Sequence, residues 1–133
     1  MIVVDTNIIS YRLIKGDKTD KAIDLEQYDP EWIVPVLWRF EFLNVLSTLT
    51  KNDYLNLNQS LIIWKNAESI LKNREYHVHP EKTLEFSIKH RISAYDAQYI
   101  VLAEANDIKC ITEDKQLLKL FPSLTLSLST VHS

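Results

Sequence analysis

Glycine is nearly absent from this 133-residue chain: Gly16 is the single example, where average usage of ~7% would give about nine. The phosphate cradles G-x-G-x-x-G and G-x-x-x-x-G-K-[ST] cannot be written with one glycine, so nucleotide sites built on them are excluded. Cysteine is as scarce. A lone Cys110 rules out an intramolecular disulfide and an all-cysteine zinc site. Its setting, Ile108-Lys109-Cys110-Ile111, reads as a buried core thiol. No apolar run approaches the ~18 residues that span a membrane. Met1-Ile2-Val3-Val4-Asp5 has neither the basic start nor the apolar length of a signal peptide, so a cytoplasmic protein is expected. Positive charge is not in excess either: 15 Lys+Arg against 18 Asp+Glu leave −3, which gives no basic footprint for simple DNA or RNA binding.

What remains is ordinary globular material, 46% hydrophobic and 25% charged, which predicts one domain spanning residues 1–133. Short β-branched runs alternate with longer helical patterns. Ile2-Val3-Val4 is apolar without alternation, as a strand buried on both faces should be. Trp32-Ile33-Val34 reads as a second strand and Tyr76-His77-Val78-His79 as a weak third. Residues 108–112 form a fourth, and residues 124–128, which alternate, a fifth at an edge. Helices are expected over residues 17–28, 36–51, 58–73, 80–90, 93–106 and 113–120, with Pro35 opening the second of them. Strands alternating with helices predict an α/β chain, a three-layer α/β/α sandwich around a mainly parallel sheet of about five strands.

Ligands of open parallel sheets bind beyond the carboxyl ends of the strands, and acids stand there. Asp5 is the first polar residue after Ile2-Val3-Val4, and Thr112-Glu113-Asp114 follow the fourth strand. Each also fits a plain structural role, because Asp, Thr and Asn cap helices and acids suit a helix N-terminus. Ser93-Ala94-Tyr95-Asp96 matches the capping-box pattern, so Asp96 also has a structural reading. Glu41 is harder to explain that way. Its neighbours at i±3 and i±4 are Leu37, Trp38, Asn44 and Val45, a mostly apolar helical stripe, and burying a lone carboxylate costs several kcal/mol. Acids that converge need a cation or protonation to persist. An all-oxygen donor set selects hard divalent ions such as Mg²⁺ or Mn²⁺, the ions that serve phosphodiester hydrolysis.

Four segments then resemble the PIN-domain family, and within it the VapC-like toxin ribonucleases of toxin–antitoxin pairs. They are Ile2-Val3-Val4-Asp5-Thr6-Asn7, residues 35–46 around Glu41, Ser93-Ala94-Tyr95-Asp96-Ala97 with Leu102-Ala103 downstream, and Ile111-Thr112-Glu113-Asp114-Lys115, in family order. The resemblance implies Mg²⁺ or Mn²⁺ held by Asp5, Glu41, Asp96 and Asp114, with Asn7 and Thr112 supporting the acids. It implies metal-dependent RNA cleavage leaving a 5′-phosphate and a 3′-hydroxyl, a small antitoxin partner and a homodimer. No His or Lys base is required, since metal-bound water is already acidified. The alternatives are a general RNA-processing nuclease and a non-catalytic RNA-binding or scaffolding PIN domain.

Other chemistries fit less well. A phosphoacceptor receiver needs an acid where His79-Pro80 stands, and a D-x-D phosphatase needs one in place of Asn7. A zinc site on His77 and His79 has no third ligand at metal spacing, and His90 and His132 read as surface residues. Arg12, Lys15 and Arg39 are candidate RNA contacts by proximity in sequence to Asp5 and Glu41. Trp38, Trp64 and Tyr54 are candidates for a dimer or antitoxin surface, with core packing the competing role for Trp64.

Overall fold

The computed structural model describes residues 1–131; His132 lies outside them. The elements run β1 (Ile2–Val4), α1 (Thr6–Leu13), α2 (Thr19–Tyr28), β2 (Trp32–Pro35), α3 (Trp38–Lys51), α4 (Leu57–Leu71), β3 (Glu75–Tyr76), α5 (Pro80–His90), α6 (Ala94–Ala105), β4 (Cys110–Ile111), α7 (Lys115–Leu120) and β5 (Thr125–Leu126). The sheet has the order β3-β2-β1-β4-β5, and every neighbouring pair is parallel.

Alternation along the strands assigns the layers. Val4, Trp32, Val34 and Ile111 pack with Ile8, Leu25, Phe42 and Leu71 from α1–α4. Val3, Ile33 and Cys110 face the other way, onto Ile100 and Leu102 of α6 and Leu117 of α7. The α/β/α sandwich follows from one residue of β1 turning each way. Burial pushes the Cys110 thiol well above its ordinary range, as a core cysteine requires.

The structure moves several expected boundaries. Residues 6–13 form α1, a helix that the sequence reading did not extend beyond its capping signal at Asp5. Pro35 does not open α3; it closes β2, paired with Tyr76, and α3 starts at Trp38. The weak third strand is Glu75–Tyr76 rather than residues 76–79, because His79 leaves the sheet and its Nδ1 accepts the Lys82 N–H to cap α5. β5 lies at the sheet edge, where its alternating pattern put it. Glycine being scarce, Asp53, Arg91 and Asp107 take the left-handed backbone positions. Among the described residues no helix is long and apolar enough to cross a membrane.

Candidate functional site

β1 and β4 sit side by side in the middle of the sheet, with β2 and β3 built outward on one flank and β5 on the other. Strand order therefore reverses between them, the place where open parallel sheets carry ligands. Asp5 follows β1 there, and Thr112 to Asp114 follow β4. A pocket of about 100 Å³ opens at this edge, lined by Asp5, Thr6, Asn7, Glu41, Asp96, Tyr99, Asp114 and Leu117. All four acids singled out from the sequence meet in it, and none of its lining residues is cationic.

Helix starts deliver them. Asp5 is the N-cap of α1, its Oδ1 accepting the Ile8 N–H at 3.2 Å. Asp114 is the N-cap of α7, accepting the Leu117 N–H at 3.0 Å. Ser93 caps α6 through the Asp96 N–H, which puts Asp96 in the first turn. Glu41 is in the first turn of α3. The capping roles and the pocket positions are thus compatible, and α7 is capped by Asp114 rather than by Thr112.

Thr112 links two of the acids. Its hydroxyl oxygen accepts the Asp114 N–H at 3.0 Å, so its single proton goes to Asp5 Oδ2, 2.5 Å away. Asn7 helps Asp5 through its backbone N–H and is an exposed residue of the pocket lining. Glu113 points elsewhere, accepting the Leu128 N–H at 2.6 Å and pairing with Lys18 at 3.5 Å. Burial is the main reason the Asp5 carboxyl is pushed up to about 6, with Glu41 adding repulsion against the hydrogen bonds that pull it down. Asp96 is also raised, by burial first and then by Asp114 and Glu41.

Three lining residues lie outside the predicted set, and two of them, Thr6 and Tyr99, are polar. Tyr99, one helical turn after Asp96, donates to Glu41 Oε1 at 2.5 Å, and Thr6 donates to the same oxygen at 2.9 Å. Burial, followed by the nearby Glu41 carboxylate, raises the Tyr99 phenol. Its spacing from Asp96 put it on the acid's face of α6, yet its partner is 58 residues away, so no local pattern announced the pair.

The candidate RNA contacts fare differently. Arg12 is paired with Glu26 at 2.9 Å, and Arg39 holds Glu75 at 2.7 Å and Glu68 at 2.9 Å, beside the rings of Trp38 and Trp64. Lys15 is exposed. Trp38 is no surface residue: it is fully buried, stacked on Trp64, and its Nε1 donates to Glu75 at 3.0 Å. Tyr54 remains exposed. His90 is half-buried against Phe86 and Phe121 rather than at the surface. Arg39 therefore ties β3 to α3 and α4. Replacing Arg39 with Ala leaves the largely buried Glu75 carboxylate without its cation and is expected to cost about 2 kcal/mol. A urea midpoint within error of wild type would contradict that role.

Among the described residues no group of three or more His, Cys, Asp or Glu side chains stands close enough together to hold a metal ion directly. A hard ion that keeps several of its waters needs only one or two direct carboxylate contacts.

A wholly parallel α/β/α sandwich with an acidic pocket at its point of strand reversal defines a class, and comparison with known proteins gives it a name. Residues 2–120 match the PIN domain, and the chain belongs to the PIN-domain family. It is 25% identical over 126 residues to the Ribonuclease VapC3 of Pyrobaculum aerophilum, covering 92% of this chain and 96% of that protein. The crystal structure of PAE2754 from Pyrobaculum aerophilum superposes with a TM-score of 0.78 at 18% identity, over 98% of this chain and 92% of the other. A chain of a toxin–antitoxin complex from Klebsiella pneumoniae does so with a TM-score of 0.68 at 16% identity, over 96% and 98%. These likenesses in structure carry the fold.

Proposed function

We propose that this protein is a Mg²⁺- or Mn²⁺-dependent endoribonuclease and the toxin of a toxin–antitoxin pair. The observation that carries the reading is the meeting of Asp5, Glu41, Asp96 and Asp114 in one pocket with no lining cation. Their donor atoms are all oxygen, the chemistry of hard divalent ions. The upward displacement of Asp5 and Asp96, partly by their acidic neighbours, marks negative charge that a cation would offset. Asp5, Asp96 and Asp114 would hold the ion, with Asp5 and Asp114 kept in place by Thr112 and by their own helix caps. Glu41 would complete the site through one oxygen or orient the attacking water. When bound, the ion lowers the pKa of a water and offsets charge on the scissile phosphate. Both duties of an acid–base pair are then met without His or Lys.

The relative named a ribonuclease and the neighbour from a toxin–antitoxin complex support the substrate and the partner. So does an exposed apolar surface: Leu57, Leu61 and Ile62 of α4 lie beside grooves of about 570 and 530 Å³ that suit an apolar helix from a small partner. A structured RNA incubated with the purified protein tests the catalytic part. Cleavage in Mn²⁺ or Mg²⁺, abolished by chelation and leaving 5′-phosphate ends, is the expected result. Binding without cleavage in either ion would favour the scaffolding role.

A further inference from the structure

Glu41 presents the pocket with two unequal oxygens. Oε1 is flanked by the Tyr99 hydroxyl at 2.5 Å and the Thr6 hydroxyl at 2.9 Å, and these two hydroxyls are themselves 2.7 Å apart. Each hydroxyl carries a single proton, so two of the three contacts are hydrogen bonds at any one time and Oε1 accepts at least one of them. Both hydroxyls lie to one side of Oε1, where they fix the orientation of the carboxylate and draw charge from that oxygen. Oε2 takes part in no hydrogen bond among the described residues. The three members come from α1, α3 and α6, and the Tyr99 ring is buried in the sandwich, so the triangle is held from three directions.

We infer that Tyr99, with Thr6, is a positioning residue that restricts Glu41 to one free oxygen in the pocket. This deepens the metal-dependent reading and rests on it. The consequence is ion discrimination. Ca²⁺ takes six to eight oxygens and readily accepts both oxygens of one carboxylate, whereas the smaller Mg²⁺ keeps a strict octahedron with few carboxylate contacts. A glutamate with one oxygen already engaged suits Mg²⁺ and Mn²⁺ and handicaps Ca²⁺. The phenol acts on the pocket through Glu41 and has no role in the chemistry of its own.

Tyr99→Phe keeps the ring and removes the hydroxyl. The test measures Mn²⁺ and Ca²⁺ affinities of substrate-free protein by calorimetry, with the spectrum of bound Mn²⁺ as a second readout. The ratio of Ca²⁺ to Mn²⁺ dissociation constants is expected to fall about tenfold in the variant, the scale of one hydrogen bond to a charged group. In a Glu41→Gln background the same substitution is expected to leave the ratio within about twofold, because the clamped carboxylate is already gone. An unchanged ratio in the first background, or an equal change in both, would overturn the inference. Wild-type protein that binds Mn²⁺ yet cleaves no RNA overturns the nuclease reading alone, and the ratio still decides the clamp. Wild-type protein that binds neither ion overturns the clamp whatever its activity.

Discussion

Asparagine in place of Asp5 or of Asp96 is expected to lower Mn²⁺-dependent RNA cleavage by on the order of 10³-fold or more, since loss of mere supporting groups around a metal already costs ~10–100-fold. The substitution is nearly isosteric and removes one negative charge. Asn is as good an N-cap as Asp, so Asp5→Asn keeps the start of α1 while weakening the pocket for a cation. Asp96 lies in the first turn of α6 under the Ser93 cap, and asparagine leaves that cap's bond to the backbone N–H intact. Single-turnover cleavage, with urea unfolding as the control for folding, checks both variants. Undiminished cleavage in either removes that residue from the site.

The second large effect concerns stability. Metal-free protein is expected to become more stable as the pH falls from about 7.5 to about 5. Asp5 titrates at about 6 in the folded chain, above the ~3.9 of an unfolded one. Between those values the folded state binds a proton that the unfolded state lacks, so stability rises as the pH falls. Asp5 alone contributes about 1 kcal/mol by pH 5 and approaches about 3 kcal/mol once both states are protonated. Asp96, also raised, adds in the same direction. Glu75 works in the opposite sense: Arg39 holds it below its ordinary range, so its contribution is lost only at lower pH, outside this window. Saturating Mn²⁺ is expected to reverse the trend. An ion at ~100 times its dissociation constant adds about 2.7 kcal/mol, and protons compete for its ligands as the pH falls. Melting temperatures at the two pH values, with chelator and with Mn²⁺, read this directly. A flat profile with chelator would contradict the burial of an ionised Asp5.

How much of this was legible follows the range of each interaction. Val3 and Val4 are adjacent, both apolar, and buried on opposite faces of the sheet, so unbroken apolarity reported a strand covered on both sides. Asp5 and Asp114 were legible because each directly follows a strand. Glu41 was legible because its helical neighbours were too apolar for a solvated carboxylate. Local competition blurred the rest. Asp5 gave the cap of α1 but not its length, since Ile8-Ile9 continue the apolar run of β1. Tyr76-His77-Val78-His79 looked extended, yet His79 spends its imidazole on a helix cap. The Arg39 ion pairs and the Thr6–Glu41–Tyr99 triangle were hidden for another reason: each partner comes from a distant element, and side chains 29 to 93 residues apart leave no periodic trace. Sequence proximity to the acids made Arg39 a substrate contact; three-dimensional proximity made it a brace.

The central claim is that the acids capping α1 and α7, together with those in the first turns of α3 and α6, share one divalent cation. Anomalous diffraction from crystals soaked in Mn²⁺ addresses it without reference to any substrate. The expected result is a peak within coordinating distance of carboxylates from Asp5, Asp96 and Asp114, with Glu41 reaching it through Oε2. No peak at that edge of the sheet at saturating Mn²⁺, or one held by other residues, would contradict it.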